Sequence, residues 1–147
     1  MFTRIVVGTD GSETAAEAVR QAVEMAKISS ATLSIVSAYQ PISGRRVQGE
    51  QRDAPADVHY ELGPREDVNL VLDAAAAEAK GEGIEVQTHP VEADPADAIL
   101  NVAEETKADL IVVGNKGMTG ARRYLLGSVP NNISHHAPCS VLIVRTT

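Results

Sequence analysis

Residues 109–128 read D-L-I-V-V-G-N-K-G-M-T-G-A-R-R-Y-L-L-G-S. The first five, Asp109–Val113, form an apolar run of the length of a strand buried on both faces. Glycine follows at once: Gly114, two residues, Gly117, nine residues, then Gly127-Ser128. Glycine-rich backbone at the carboxyl end of such a strand lets several N–H groups converge on a phosphate without any cation. Ser128 opens a helix, whose amino end adds unpaired N–H groups and about half a positive charge. Its hydroxyl can cap that helix or donate to a phosphate oxygen. Pro130 falls in the first turn, where its missing N–H is no loss. The spacer Met118–Leu126 can loop out and return, so that both glycine sites face one ligand.

Working outward, Arg4–Gly8 reads as a short buried strand, and Thr9-Asp10-Gly11-Ser12 as a turn and helix cap. Ala15, Ala18, Val19, Ala22, Val23 and Ala26 then recur at helical spacing. Ser29-Ser30 ends that helix, and the β-branched run Thr32–Ala38 is the second strand. Residues 41–63 break the pattern with three glycines, two prolines and charges of both signs. They are expected to form a long, mobile loop, read as a solvated insertion ahead of a nucleotide-covering flap. Pro64 starts a helix with the stripe Val68, Val71, Leu72, Ala75, Ala76 and Ala79. Ile84–Val91 alternates like a strand near a sheet edge, and Asp94-Pro95 caps a helix with Ala98, Ile99, Val102 and Ala103 inward. Residues 140–145 are the fifth strand. Strands alternating with helices predict an α/β fold: a single doubly wound, five-stranded parallel sheet with helices on both faces. If its order is 3-2-1-4-5, strands one and four are neighbours whose helices lie on opposite faces. Ligands bind outside the carboxyl ends of strands at such a switch point.

The 147 residues suit one domain, 1–147, able to bury a core without a metal or disulfide staple. With no Trp and only one Phe, that core is built from Val, Ile, Leu and Ala. The net charge of −7 disfavours nucleic acid and anionic membrane as partners. A lone Cys139, an opening that runs straight into a strand and no long apolar stretch lead to the expectation of a soluble cytoplasmic protein.

On these residues the chain resembles the universal stress protein family, in its ATP-binding branch. The pattern G-x2-G-x9-G-[S/T] stands without a gap as Gly114, Gly117, Gly127 and Ser128. I-V-V-G-T-D-G-S at 5–12, A-D-L-I-V-V-G at 108–114 and P-C-S-V-L-I-V at 138–144 carry the same likeness. The resemblance implies a 3-2-1-4-5 sheet and a bound adenine nucleotide, ATP with or without Mg2+. Gly8, Thr9 and Asp10 would line ribose and base, and Ala38 would offer backbone to the adenine edge. Val113 and Gly114 would meet the ribose and first phosphate, while Gly117, Gly127, Ser128 and Val129 would hold the phosphates. It also implies a homodimer through the last strand, 140–145, whose unpaired edge offers main-chain hydrogen bonds to a twin. Ala93 stands where relatives often carry glycine.

Single residues have plainer readings as well. Asp10 can accept from ribose hydroxyls or cap the first helix, a task open to Ser12. Lys116, Arg122 and Arg123 can reach phosphate or point to solvent. His135-His136 suits a helix carboxyl end better than a chelating pair. His59 and His89 give no metal site, and Cys139 reads as a small hydrophobe. Tyr39 can flank a base or cover the core edge. No Walker A lysine pattern occurs, nor an H-I-G-H or S-G-G-x-D-S signature, so no catalytic residue is assigned. G-N-K-G imitates the loop of an RNA-binding KH domain, but it follows a strand instead of joining two helices. The reading is an adenine-nucleotide-binding stress-response regulator acting by nucleotide occupancy and dimer state. The alternatives are a cyclic-AMP- or AMP-binding protein of the same fold, or a slow ATPase or autophosphorylating enzyme.

Overall fold

Four runs rich in Val, Ile and Leu and a fifth, more polar one supply the strands, and each is followed or preceded by a helix whose apolar stripe is mostly aliphatic. The computed structural model describes residues 1–40, 64–115 and 127–146. In chain order they form β1 (Arg4–Gly8), α1 (Glu13–Ser29), β2 (Thr32–Tyr39), α2 (Pro64–Gly81), β3 (Val86–Glu92), α3 (Pro95–Thr106), β4 (Leu110–Gly114), α4 (Ser128–His136) and β5 (Ser140–Val144). All pairings are parallel and the order is β3-β2-β1-β4-β5, as expected. The expected loop 41–63, with Lys116, Gly117, Arg122, Arg123 and the spacer, lies outside the described residues.

Period-two alternation along each strand splits the interior into two layers. Ile5, Val7, Leu33, Ile35, Leu110 and Val112 face α1 and α2. Val6, Val36, Ile111 and Val113 face α3 and α4. Central strands buried on both faces read as unbroken apolar runs, which is why β1 and β4 stand out in the sequence. Along α2, Val68, Leu72, Ala76 and Ala79 are buried, whereas Val71 and Ala75 lie half-buried at the margin.

Boundaries differ from expectation in small ways. The third strand begins at Val86 instead of Ile84, so Ile84 and Glu85 lead into it. It is an edge strand, and that position tolerates Pro90, which cannot donate to a ladder. Two helices close on left-handed residues that are not glycine: Ser30 (φ 57°) after α1 and Lys107 (φ 56°) after α3. Each C-cap N–H returns to a carbonyl of the last turn, which stabilises an otherwise unfavourable conformation.

Among the described residues two glycines, Gly11 and Gly83, take a left-handed backbone, and of these Gly11 is also closely packed. Its φ is +86°, and an added Cβ would sit 2.9 Å from Cγ2 of Val71 in α2. Gly11→Ala is therefore expected to lower stability by about 1–2 kcal/mol, read as a lower urea midpoint at unchanged slope.

The amino-terminal end of the sheet is fastened by Asp109. Its carboxylate accepts from the backbone N–H of Thr3 (2.9 Å) and Arg4 (3.0 Å) and from the Thr3 hydroxyl (3.0 Å). Partial burial pushes the carboxyl up, but the N–H groups of Thr3 and Arg4, with the Thr3 hydroxyl, outweigh it and hold the group below its ordinary value. A depressed folded-state pKa gives stability that is present above the unfolded value, near pH 4, and lost as pH falls through the folded one. Asp109→Asn should thus be less stable than wild type at pH 7, and the gap should close below roughly pH 4 in parallel urea titrations. A gap that persists unchanged at low pH would show that ionisation is irrelevant to this fastening.

Candidate nucleotide site

The carboxyl ends of β1 and β4 lie side by side, with Val7 in register with Val112. The chain leaves β1 toward α1 on one face and leaves β4 toward α4 on the other. This is a topological switch point, where two exits in opposite directions open a crevice.

The β1 side is built by its turn. Thr9 is buried, its N–H bonds the Val36 carbonyl across to β2 (2.9 Å), and its Oγ1 accepts from Gly11 N–H (3.1 Å). Ser12, not Asp10, caps α1, accepting from Ala15 N–H at 3.2 Å. Asp10 is exposed and uses Oδ1 to accept from Ser12 N–H (2.9 Å). That single local bond sets the carboxylate direction and leaves Oδ2 without a hydrogen bond among the described residues. Ala38 sits half-buried near the carboxyl end of β2, two residues past Val36, the partner of Gly8.

On the β4 side, Val113 is buried and Gly114 is the last strand residue, half-buried and in register with Val144. Gly127 is the buried N-cap of α4, with φ −63° and ψ 164° and no side-chain cap. Ser128 therefore occupies the first helical position and does not cap. Its side chain is exposed. Pro130, third in the helix, has no N–H, so the amides left bare at this helix end, among the described residues, are those of Ser128 and Val129. The Val129 side chain packs into the α3/α4 core layer, so only its backbone is available to a ligand.

Neither Gly114 nor Gly127 has positive φ. Conformation does not demand glycine at either place, and a Ser or Asp at Gly127 would cap the helix better. What glycine supplies at Gly114, at the mouth of the crevice, is backbone with no side chain over it.

Asn115 has no role in the sequence reading, yet it organises this side. Its N–H bonds the Val144 carbonyl (2.8 Å), and its carbonyl accepts from Gly127 N–H (2.9 Å). Its Oδ1 accepts from both N–H (2.8 Å) and Oγ1 (2.9 Å) of Thr146. An asparagine inside a glycine motif gives no periodic signal, and its side-chain partner lies 31 residues away, so no local pattern marks it.

Other candidate residues have surroundings of their own. Tyr39 packs against the α1/α2 core layer, which fits the core-covering reading. His135 and His136 lie in the last turn of α4 with ring centroids 6.4 Å apart. Cys139 is half-buried, and burial, with the Asp109 carboxylate adding to it, pushes its thiol up, away from reactive thiolate. Among the described residues no three His, Cys, Asp or Glu side chains gather as a metal site, and no helix is long and apolar enough to cross a membrane. A cleft of about 450 Å³ at the opposite end of the sheet is lined by Lys27, Ser30, Thr32, Glu82 and Glu85. Lys27 and Glu82 pair with each other at 2.9 Å.

Fold and site together define a doubly wound α/β protein with a glycine-edged crevice between β1 and β4 and an uncapped helix end above it. Residues 1–145 match the model of the universal stress protein family, and the chain belongs to that family. Universal stress protein Rv1636 of Mycobacterium tuberculosis is 39% identical over 147 residues, covering 99% of this chain and 98% of that protein. Universal stress protein YxiE of Bacillus subtilis is 34% identical over 153 residues, covering 99% of this chain and all of that one (100%). A crystal structure of a universal stress protein in complex with cAMP superimposes with a TM-score of 0.74 at 37% identity, covering 99% of both chains.

Proposed function

We propose that residues 1–147 form a single adenine-nucleotide-binding domain, a stress-response regulator that takes ATP and acts through nucleotide occupancy and dimer state. The observation that carries this reading is the uncapped amino end of α4 beside the switch point. Bare amides at Ser128 and Val129 are suited to an anion, and among the described residues no side chain bonds to them. Phosphates sit against Gly114, Gly117, Gly127, Ser128 and Val129. The ribose lies between Val113 and the Oδ2 of Asp10, and Gly8, Thr9 and Ala38 border the base. Mg2+, where present, travels with the phosphates as their counter-ion. The homodimer forms along residues 140–145, and among the described residues β5 is the last strand of the sheet on that side. We place the protein in the cytoplasm and assign it binding without a fast chemical step.

A second reading, cyclic AMP as the physiological ligand, is favoured by the 37%-identical relative solved with cAMP. Backbone amides recognise phosphate of any kind, but cyclic AMP lacks a free 3′-hydroxyl for Asp10 to accept from. Asp10→Ala should weaken ATP by about tenfold and cyclic AMP by much less if Asp10 reads that hydroxyl. Mass spectrometry of nucleotide released from purified protein, followed by calorimetry with ATP, AMP and cyclic AMP, tests both readings. Absence of adenine-nucleotide binding below the millimolar range overturns the proposal.

A further inference from the structure

The two ends of the glycine turn are held by one residue. The chain leaves β4 at Asn115 and returns at Gly127, and the Asn115 carbonyl bonds the Gly127 N–H at 2.9 Å. Asn115 is held in turn from the other side. Its own N–H bonds Val144, the last residue of β5, and its Oδ1 takes two bonds from Thr146 beyond that strand. Four bonds therefore converge on a half-buried asparagine, three of them from residues 144 and 146. An amide oxygen with two lone pairs accepts both Thr146 donors at once, so its side-chain acceptor is fully used.

We propose that Asn115 is a positioning residue for the phosphate site, and that Thr146, after the last strand, is part of that site's support. The proposal rests on the nucleotide reading above. Ser128 and Val129, whose amides are bare, directly follow Gly127. Whatever fixes Gly127 fixes the direction of those donors. Without the Oδ1 anchor, the Asn115 backbone keeps its bond to Val144 but can rotate, and Gly127 follows. Amide donors aimed at an anion lose most of their effect when misplaced by about 1 Å. The base side of the crevice, built on β1 and β2, shares none of these bonds, and neither does Val113, which borders the ribose from β4.

The test uses the full chain. In Asn115→Ala and in Thr146→Pro, hydrogen exchange at the Gly127 amide should quicken by about tenfold or more. Asn115→Asp keeps an oxygen acceptor for Thr146 and should retain the protection. In calorimetry the two disruptive variants should bind AMP about tenfold more weakly while adenosine changes less than about twofold. Unchanged Gly127 exchange in either disruptive variant overturns the proposal, whether or not nucleotide binds. Equal losses for adenosine and AMP also overturn it, because they would mean damage to the fold as a whole. If wild type binds no adenine nucleotide, the functional reading fails, and the exchange measurement still decides whether Asn115 holds Gly127.

Discussion

Gly114→Val is expected to weaken ATP and AMP binding by about 100-fold, roughly 3 kcal/mol, while the protein stays folded. Gly114 ends β4, half-buried at the mouth of the crevice, and Val144 of β5 is its neighbour in register. Its backbone does not have positive φ, so valine meets no conformational penalty and suits a strand. The isopropyl group would instead occupy the space through which a phosphate or ribose meets main chain. Calorimetry gives the affinity and a urea melt gives the stability. Normal affinity in the folded variant would remove the glycine turn from the site. Equal loss of stability and affinity would leave glycine with a packing role alone.

Ile133→Ala is expected to lower stability by about 2–4 kcal/mol, with a drop in melting temperature of roughly 10 °C. Ile133 is 0% exposed and belongs to the α3/α4 core layer with Val129. At nine residues α4 is too short to persist unaided, so its contacts with the sheet hold it in place. The same contacts hold its bare amino end beside the crevice, so phosphate-bearing ligands should also bind the variant less well. A loss under about 1 kcal/mol would show that α4 is held by something other than this side chain.

The strands and helices were legible because each is written in local periodicity. β1 and β4 are unbroken apolar runs, and α1 repeats Ala15, Ala18-Val19, Ala22-Val23 and Ala26 on one face, all of them buried. Right-handed crossovers then leave few arrangements of five parallel strands, and the order 3-2-1-4-5 is the one found. Capping was less legible. Asp10, Ser12, Gly127 and Ser128 are each acceptable at or beside a helix start, and composition cannot rank neighbours of similar propensity. The structure gives the caps to Ser12 and Gly127, and so leaves Asp10 and Ser128 facing outward.

The sequence by itself determined the alternation of elements, the two-faced aliphatic core and the placement of glycine after β4. All of these depend on residues a few positions apart, where spacing and side-chain type carry the physics. The tertiary structure alone decided how the ends of those elements are tied. Thr3 to Asp109 and Asn115 to Thr146 are bonds between residues 106 and 31 positions apart. Such a bond needs one polar group on each side and no pattern between them, so it leaves no trace in the sequence until folding brings the partners together.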